Sequence, residues 1–318
     1  MLLADSVQAL HVEFTSRCNL HCDHCARTNS ETGNTIQTLP MMDLHPSVFK
    51  KAVDSLKNIK LVHACGNYGD IVAYKEDIFE IINICKEHSN IELLRLYTNG
   101  SAKSKDFWSK LGKESKDIAE VVFSIDGLED TNKIYRRGSI WKKVYENAQA
   151  YIDSGGRAIW EMLVFAHNEH QVEEARMLSE KLGFAEFRVK KPNRFDLVKK
   201  KTVQASTIEK FNFLENSTSE ITCKYKQMNW LYLSFEGELL TCCWIGGSKY
   251  KMNQSSNDFL QFYVTNHGNK LSVEHSTVDD ILKSEFYIKL QASWVLDPLT
   301  TCKKKCGNRT QITKKYIQ

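Results

Sequence analysis

Apolar and polar residues alternate in blocks over the first 190 positions of the chain. Short runs rich in branched and aromatic residues predict strands, and the stretches between them have the apolar spacing of amphipathic helices. The predicted strands cover residues 11–15, 60–65, 91–98, 119–126, 158–165 and 185–190. Six strand–helix units in this order predict a parallel sheet with crossover helices.

Two of the stretches between strands carry clear helix signals. PSVFKKAVDSLK places Pro46 in its first turn, and EDIFEIINICKEH fills the gap before the third strand. We therefore predict an α/β fold whose first part is a partial (β/α)6 TIM-like barrel. In barrels of this kind the active site is built by the loops that follow the carboxyl ends of the strands.

The alternation stops after residue 190, in the segment VKKPNRFDLVKKKTVQAS. Its proline and five lysines predict a linker, so we divide the chain into a barrel domain, 1–205, and a second domain, 206–318. Beyond the linker, NWLYLSFEGELLTCCWIGG has period-two apolar residues on both sides of Glu236 and Gly237, which predicts a β-hairpin. The second domain is thus predicted to be a small α+β unit.

The composition narrows the function classes only slightly. The chain has 318 residues, 42% of them hydrophobic, and a net charge of +4, so its overall charge does not indicate a nucleic-acid or membrane partner. No apolar run approaches the roughly 20 residues of a membrane helix. The opening MLLADSVQAL also lacks the features of a signal peptide. We expect a cytoplasmic protein with no membrane partner.

Eight of the ten cysteines fall into two sets near the two ends of the chain, which is typical of metal or cluster ligation rather than of a disulfide scaffold. Two further cysteines, Cys65 and Cys85, stand alone in apolar segments, and we predict that both are packed core thiols.

The first set, in CNLHCDHC, comprises Cys18, Cys22 and Cys25, directly after the first predicted strand. Three thiolates suit a four-iron cluster, which then keeps one iron open for another ligand. A structural zinc ion would need a fourth ligand, which His21 or His24 could supply, so zinc remains an alternative.

The spacing and position of CNLHCDHC resemble the CxxxCxxC loop of the radical S-adenosylmethionine (radical SAM) superfamily. The resemblance implies that the three cysteines hold a 4Fe-4S cluster whose open iron is chelated by the amino and carboxylate groups of SAM. His24 stands where that family usually has an aromatic residue near the adenine.

Five further stretches resemble elements of that family. GNYGD (66–70) is similar to the GGE element, YTNG (97–100) to the TNG element, SIDG (124–127) to the SxDG element and YRRG (135–138) to the YRxG stretch. EMLVFAHNEH (161–170) is similar to the fifth strand and its following turn, with His167 and Asn168 as cofactor neighbours.

The resemblance assigns roles to individual side chains. The implied cofactor-binding residues are Gly66, Asn67, Gly69, Asp70, Thr98, Asn99, Ser124, Arg137 and Glu161. Asp126, Tyr135 and Glu161 are the candidate catalytic residues, by barrel position alone. Ordinary turn glycines and solvated arginines remain the alternatives for these stretches.

The second set of cysteines consists of Cys223, Cys242, Cys302 and Cys306, with Cys243 as a competitor for the place of Cys242. Their order resembles the auxiliary-cluster domains called SPASM and twitch, although the final pair is CxxxC where many relatives have CxxC. The resemblance implies a second 4Fe-4S cluster in the shorter, twitch-like form. A four-cysteine zinc knuckle remains an alternative.

Together these resemblances imply a radical SAM oxidoreductase that takes an electron from a donor such as flavodoxin or ferredoxin. SAM would be cleaved to a 5′-deoxyadenosyl radical that abstracts hydrogen from a substrate C–H bond, with the auxiliary cluster assisting oxidation or bond formation. The substrate would be a small molecule or a peptide. Many peptide-modifying members of the family carry a leader-binding domain before the barrel, whereas only residues 1–10 precede the first predicted strand here. This slightly favours a small or free-standing substrate.

Two other functions remain open. The basic stretch 188–201 suits a nucleotide or nucleic-acid substrate, although it lacks the interleaved aromatic residues of a single-strand platform. Alternatively, both cysteine sets hold structural zinc in a non-enzymatic interaction protein.

Overall fold

The computed structural model describes residues 3–29, 31–192, 203–208, 221–250, 269–307 and 316–317. They form one open sheet with the strand order β8-β7-β1-β2-β3-β4-β5-β6-β9. The strands are β1 Ala9–Val12, β2 Leu61–Ala64, β3 Leu93–Thr98, β4 Ala119–Ser124, β5 Arg157–Leu163, β6 Glu186–Lys190, β7 Trp230–Leu233, β8 Leu239–Leu240 and β9 Tyr316–Ile317.

Helices connect the strands and cover one face of the sheet. They are α1 Pro46–Asp54, α2 Ile78–Glu87, α3 Lys105–Ser115, α4 Asn132–Tyr135, α5 Trp141–Asp153, α6 Val172–Lys181, α7 Lys224–Gln227, α8 Cys243–Gly246, α9 Val278–Leu282, α10 Glu285–Leu296 and α11 Thr300–Cys306. Short 3-10 helices cover Ala4–Ser6, Ile71–Ala73 and Glu169–Gln171.

Strands β1 to β6 are consecutive parallel neighbours, which confirms the predicted fold class, a partial TIM-like barrel that does not close. Each crossover passes over the helix-covered face, where Leu10, Val62 and Leu94 belong to the same apolar core as Phe49 of α1 and Trp108 of α3. Because side chains alternate across a strand, the residues between these apolar positions face the other side of the sheet.

Local signals fix the helix starts. His45 accepts a hydrogen bond from the backbone of Ser47 and Pro46 stands at the first helical position of α1. In the same way, Asp77 accepts from the backbone of Phe79 and caps α2. Both helices lie where the sequence predicts them.

The strand ends differ from the prediction by a few residues. The first strand is predicted at 11–15, but β1 runs from Ala9 to Val12. Beyond it the chain turns toward α1, because Leu44 N–H donates to the Phe14 carbonyl at 2.7 Å and Thr15 bridges Asp43. That turn aims the following residues at the carboxyl edge of the sheet.

The predicted hairpin exists as β7 and β8 around Gly237, whose φ of +78° suits glycine. It does not form a sheet of its own, because β7 pairs in parallel with β1, with Leu10 opposite Leu231. The outer edge of β1 offers unpaired backbone groups, and β7 satisfies them. The division of the chain at 205/206 stays a prediction.

The later part of the described chain closes on itself through backbone pairing. Ile221 bridges Gly307, and Thr222 N–H donates to the Cys306 carbonyl at 3.0 Å, which brings both ends of the segment together. Among the described residues, no helix is long and apolar enough to cross a membrane.

Candidate functional site

The first cysteine set lies in the loop after β1, at the carboxyl edge of the sheet. Cys22 is buried, and Cys18 and Cys25 are half-buried. Burial raises the pKa of the Cys22 thiol to about 12 and also raises that of Cys18, and the neighbouring thiols add to both shifts. The three cysteines pack in the same small cluster of side chains, as the ligands of one group must.

Arg27, which the sequence did not single out, stabilises this loop through hydrogen bonds. Its buried guanidinium donates to the carbonyls of Tyr68 at 3.1 Å and Ser16 at 3.3 Å. Thr28 Oγ1 donates to the Cys22 carbonyl at 2.9 Å. The loop conformation is thus set by hydrogen bonds within the protein.

Arg137, predicted to bind the cofactor, instead contacts the cysteine loop itself. Its Nε lies 2.8 Å from the His21 carbonyl and 2.7 Å from Asp23 Oδ1, and its Nη2 donates to the Gly33 carbonyl at 2.9 Å. In this structure the side chain therefore fixes the loop, and its contact with a cofactor stays a prediction.

The GNYGD loop, 66–70, packs against the residues that lead into the cysteines. A Cβ on Gly69 would lie 1.8 Å from the Thr15 carbonyl oxygen, and one on Gly66 would lie 2.2 Å from that of Gly69. Both glycines are required by close backbone approach. Glu13, also missed from sequence, accepts N–H bonds from Tyr68 and Gly69 at 2.5 and 3.1 Å.

Asp70 ties this loop to the TNG element. One carboxylate oxygen accepts from Thr98 Oγ1 at 2.8 Å, and the other accepts from the backbone and side-chain nitrogens of Asn99, both at 2.7 Å. The Asn99 amide also lies 3.8 Å from Cys18 Sγ. Burial raises the pKa of Asp70, and these hydrogen bonds oppose the rise. Three predicted residues are thus joined to the first cysteine.

Ser124 and Glu161 lie opposite each other in the register of β4 and β5. Ser124 is half-buried at the end of its strand, and the buried Glu161 accepts an ion-pair hydrogen bond from Lys190 Nζ at 2.8 Å. Their side chains face the side of the sheet that the helices leave uncovered, as the prediction of a cofactor site requires.

Asp126 is fully buried, and its carboxylate is already bound. Arg136 Nε donates to Oδ2 and Leu163 N–H donates to Oδ1, both at 2.6 Å. Burial raises the pKa of Asp126, and the Arg136 guanidinium opposes that rise. The same guanidinium opposes the rise in the pKa of Cys22, so Arg136, which the sequence did not single out, connects the SIDG element to the cysteine loop.

Aromatic rings enclose one side of the cysteine loop. Tyr135 packs with Cys22 and lies 4.6 Å from the Phe165 ring, which stacks on His167 at 5.4 Å. His24 is buried, with its ring 6.1 Å from Tyr135. Asn168 forms the turn after β5, donating to the carbonyls of Asp126 and Leu163, both at 2.9 Å.

The four cysteines of the second set line one cavity, together with Trp244, Ile245 and Trp294. They come from the start of α7, the end of the hairpin and α11, where Cys302 and Cys306 lie one turn apart. Cys243 does not line this cavity, and its Sγ lies 2.9 Å from Tyr225 Oη. The geometry favours Cys242 over Cys243 as the fourth ligand.

Asn67 links the two cysteine sets. Cys25 Sγ lies 3.5 Å from its carbonyl oxygen, and its side-chain amide donates to the Cys243 carbonyl at 2.8 Å. This contact places the GNYGD loop between the two sets, which no local sequence pattern indicates.

The lone cysteines differ from each other. Cys85 is completely buried in the core, as predicted. The prediction is wrong for Cys65, which is half-buried at the end of β2 beside His11 and His63. It lies on the face of the sheet that the helices leave open, because it follows His63 by two residues at the strand end.

The donor sets fit the iron–sulfur groups that the sequence implies. Three neighbouring thiols in a loop edged by polar backbone suit a cluster with one open iron, and four thiols around an apolar cavity suit a fully ligated cluster.

Of the basic stretch, residues 193–201 lie outside the described residues. In its described part, Arg188 pairs with Glu186 at 2.6 Å and Lys190 with Glu161.

The family model of the Radical SAM superfamily matches residues 12–178. These residues run from the end of β1 into α6 and include the first cysteine set and every stretch compared above. None of the curated protein sequences matches the chain.

Several solved structures share the fold at low sequence identity. The crystal structure of SuiB from Streptococcus suis has a TM-score of 0.55 and 16% identity, covering 80% of this chain and 64% of SuiB. The complex of SuiB with precursor peptide SuiA has a TM-score of 0.54 and 16% identity, covering 88% and 66%. Native anSMEcpe with bound AdoMet has a TM-score of 0.57 and 13% identity, covering 89% and 82%. The chain thus spans about two thirds of SuiB.

Proposed function

The chain belongs to the radical SAM superfamily, and from this premise we propose an enzyme that oxidises a small molecule or a peptide with the help of two iron–sulfur clusters. Cys18, Cys22 and Cys25 would hold the SAM-binding cluster. Cys223, Cys242, Cys302 and Cys306 would hold the auxiliary one.

The observation that carries the proposal is the hydrogen-bonded chain from Asp70 through Asn99 to Cys18. It joins the ends of β2 and β3 to the cysteine loop, so residues that follow three different strands keep fixed positions around the same group of thiols. Such preorganisation is what a bound cofactor needs, since no side chain has to be repositioned when the cofactor arrives.

When bound, the first cluster and SAM together supply a 5′-deoxyadenosyl radical that abstracts hydrogen from a substrate C–H bond. The chain's own residues hold and shield that chemistry. The Arg136–Asp126 pair and Arg137 fix the cysteine loop. The rings of Tyr135 and Phe165 keep water away from one side of it.

The auxiliary group would supply an acceptor for the electron that a substrate radical loses on oxidation. Besides the four cysteines, the cavity that would hold it is lined by apolar and aromatic side chains, two threonines and Lys305. Asn67 connects this region to the first cysteine loop, because it contacts Cys25 Sγ on one side and the carbonyl of Cys243, the residue after Cys242, on the other. An external donor of the flavodoxin or ferredoxin kind would supply the electron that starts each turnover.

For the substrate, we propose the peptide or small-molecule class. Glu161 and Lys190 lie together on the open face of the sheet and offer both charges to a zwitterionic or amide-bearing group. SuiB, a relative in fold, is seen with a precursor peptide, which supports the peptide class. By position, Asp126, Tyr135 or Glu161 would handle the final proton, and the two carboxyl groups are the candidate acceptors because burial raises the pKa of the Tyr135 phenol and keeps it neutral.

The nucleotide alternative is weaker, because Arg188 pairs with Glu186 and Lys190 with Glu161, so these residues present charges of both signs and not the purely basic patch that phosphate groups favour. The zinc-stapled interaction protein would keep the fold but cleave no SAM.

The test is an anaerobic assay of the reconstituted chain with SAM and dithionite, in which 5′-deoxyadenosine is measured. We expect product from the wild type and none from Cys22→Ser, because the substitution removes one of only three cluster ligands. Cys85→Ser, a change of the same kind in the core, should keep the product. Deuterium transfer from deuterated peptide or small-molecule pools to 5′-deoxyadenosine would then identify the substrate class.

A wild type that holds iron at both sites and releases no 5′-deoxyadenosine under these conditions would contradict the proposal.

A further inference from the structure

We propose that His11, His63 and Cys65 form a third metal site, separate from both cysteine sets, that binds a zinc-like divalent ion. No motif of the sequence points to it, because the residues come from two strands that are far apart in sequence: His11 from β1, His63 from β2 and Cys65 from the position directly after β2. The inference rests on the geometry of β1 and β2 and does not depend on the proposed radical chemistry.

The strand register brings the ligands together. His11 and His63 are direct partners in the parallel pairing of β1 with β2. Cys65 follows His63 by two positions and so shares its side of the strand. The neighbouring residues of both strands pack into the helix-covered core, so these three side chains face the other side of the sheet.

The distances suit a common ligand. A nitrogen of each histidine ring and the Cys65 sulfur all lie within 4.8 Å of one another, and the two ring centres are 4.9 Å apart. Zinc bonds of about 2.0 Å to nitrogen and about 2.3 Å to sulfur span such a triangle after small side-chain rotations.

The tautomer of His11 is already set for ligation. Its Nε2 lies 2.5 Å from the Cys65 carbonyl oxygen, and since a carbonyl only accepts, Nε2 carries the hydrogen and Nδ1 has the lone pair. Metal-binding histidines characteristically donate their second ring nitrogen to a carbonyl or carboxylate in this way. Here the carbonyl belongs to another ligand, so the hydrogen bond orients both residues.

The surroundings are shielded and close to neutral. The rings of Tyr97 and Trp230 lie 4.7 and 5.5 Å from His63, and that of Tyr232 lies 5.3 Å from His11. The nearest strand neighbour with a positive charge, Arg95, is paired with Glu120. A thiolate and two neutral imidazoles would therefore meet a divalent ion without a competing cation.

Two nitrogens and one sulfur leave the fourth position of a tetrahedral ion open, the pattern of zinc sites that bind water or a substrate group. His63 and Cys65 are only half-buried, so that position is reachable from the open face of the sheet. Tyr225, whose pKa Cys65 helps to raise, also has its hydroxyl 2.9 Å from Cys243 Sγ.

The experiment uses the full chain with its iron–sulfur sites filled by anaerobic reconstitution. The protein is loaded with zinc sulfate, dialysed and analysed for zinc, iron and sulfide. We expect about one zinc per chain in the wild type and less than about a tenth of that in His63→Gln and in Cys65→Ser, because two remaining ligands bind zinc weakly. His275→Gln, a change at an exposed histidine, should keep the zinc.

The zinc X-ray absorption spectrum of the wild type decides the matter even if a variant fails to fold. A shell of one sulfur at about 2.3 Å and two nitrogens at about 2.0 Å supports the site. An all-sulfur shell, or equal zinc in the wild type and both variants, overturns it. Zinc binding of the expected kind in a chain that cleaves no SAM would leave this site standing and remove only the proposed function.

Discussion

The two cysteine regions differ in what surrounds the sulfurs. Around Cys18, Cys22 and Cys25, polar groups from the ends of several strands approach the loop, as the Asn99 amide does. Around the second set, the cavity wall is largely apolar, with Trp244, Ile245 and Trp294. Three thiols with polar groups beside them would leave one iron of a cluster open to a further ligand. Four thiols in a largely apolar wall would ligate every iron of a cluster.

The difference also concerns how each region is held. The first loop is fixed by charged side chains: Arg137 donates to its backbone, and the half-buried Arg136 lies beside Cys22 and pairs with the fully buried Asp126. The second is fixed by short helices and the backbone bridge between Ile221 and Gly307. We infer that the first region depends on electrostatics for its shape and the second on its cysteines and the group they would bind.

The largest expected effect separates Cys242 from its neighbour Cys243. Only Cys242 lines the cavity with the other three cysteines. We expect Cys242→Ser to lower the iron content of the second cluster, by up to about four atoms per chain, and Cys243→Ser to leave it unchanged. Iron and sulfide analysis after reconstitution measures both. Loss of iron from Cys243→Ser alone would assign the ligand to the other sulfur.

The next effect tests the electrostatic support of the first region. Arg136→Gln leaves the fully buried Asp126 without its partner, which should lower the free energy of unfolding by about 3–5 kcal/mol. The measurement is urea unfolding of the wild type and the variant. Arg176→Gln, at an exposed arginine on α6, is the matched control and should leave the unfolding midpoint unchanged.

The sign of the pH dependence follows from the raised pKa of Asp126. A carboxyl whose folded-state pKa lies above its unfolded value takes up a proton more readily when folded. As the pH falls through the folded pKa, the unpaired Asp126 of the variant becomes neutral and the penalty of burying its charge disappears. The stability gap between variant and wild type should therefore narrow toward acid pH, and a gap that widens would contradict this account.

The smallest effect concerns the link between the GNYGD and TNG elements. One carboxylate oxygen of Asp70 accepts hydrogen bonds from two N–H groups of Asn99. In Asp70→Asn, one of the two carboxylate oxygens becomes an NH2 group, which donates and cannot accept such hydrogen bonds. We expect a loss of about 1–3 kcal/mol in stability and weaker binding of SAM, measured by thermal unfolding and equilibrium dialysis.

Asp77→Asn is the control for this change. Asp77 is the exposed cap of α2, where asparagine caps as well as aspartate, so stability and SAM binding should stay close to the wild type. Equal effects of the two substitutions would show that Asp70 has no special part in the site.

Local sequence patterns predicted the features that are formed by residues close together in the sequence. The six parallel strands, the hairpin at Gly237 and the capping of α1 follow from spacing within a few residues. The close approach of Gly69 to Thr15 is harder to predict from the sequence. A glycine indicates that another part of the chain can pack closely there, but it does not indicate which part.

The remaining features depend on strand register and on contacts between distant segments. The pairing of β7 with β1 and the position of Cys65 beside His11 are set by which residues align across the sheet, and periodicity does not encode that alignment. For the same reason the sequence could not tell that Arg136 pairs with the buried Asp126 whereas Arg137, the next residue, binds the cysteine loop.

The central claim is that the two cysteine sets hold two independent clusters. The direct measurement is iron and sulfide analysis with EPR on the reconstituted wild type and on the Cys18→Ala/Cys22→Ala/Cys25→Ala variant, with zinc assayed alongside. We predict that the variant keeps about four irons and four sulfides per chain while the SAM-sensitive EPR signal is lost. A variant that holds no iron, or a wild type with zinc at both sites, would contradict the account.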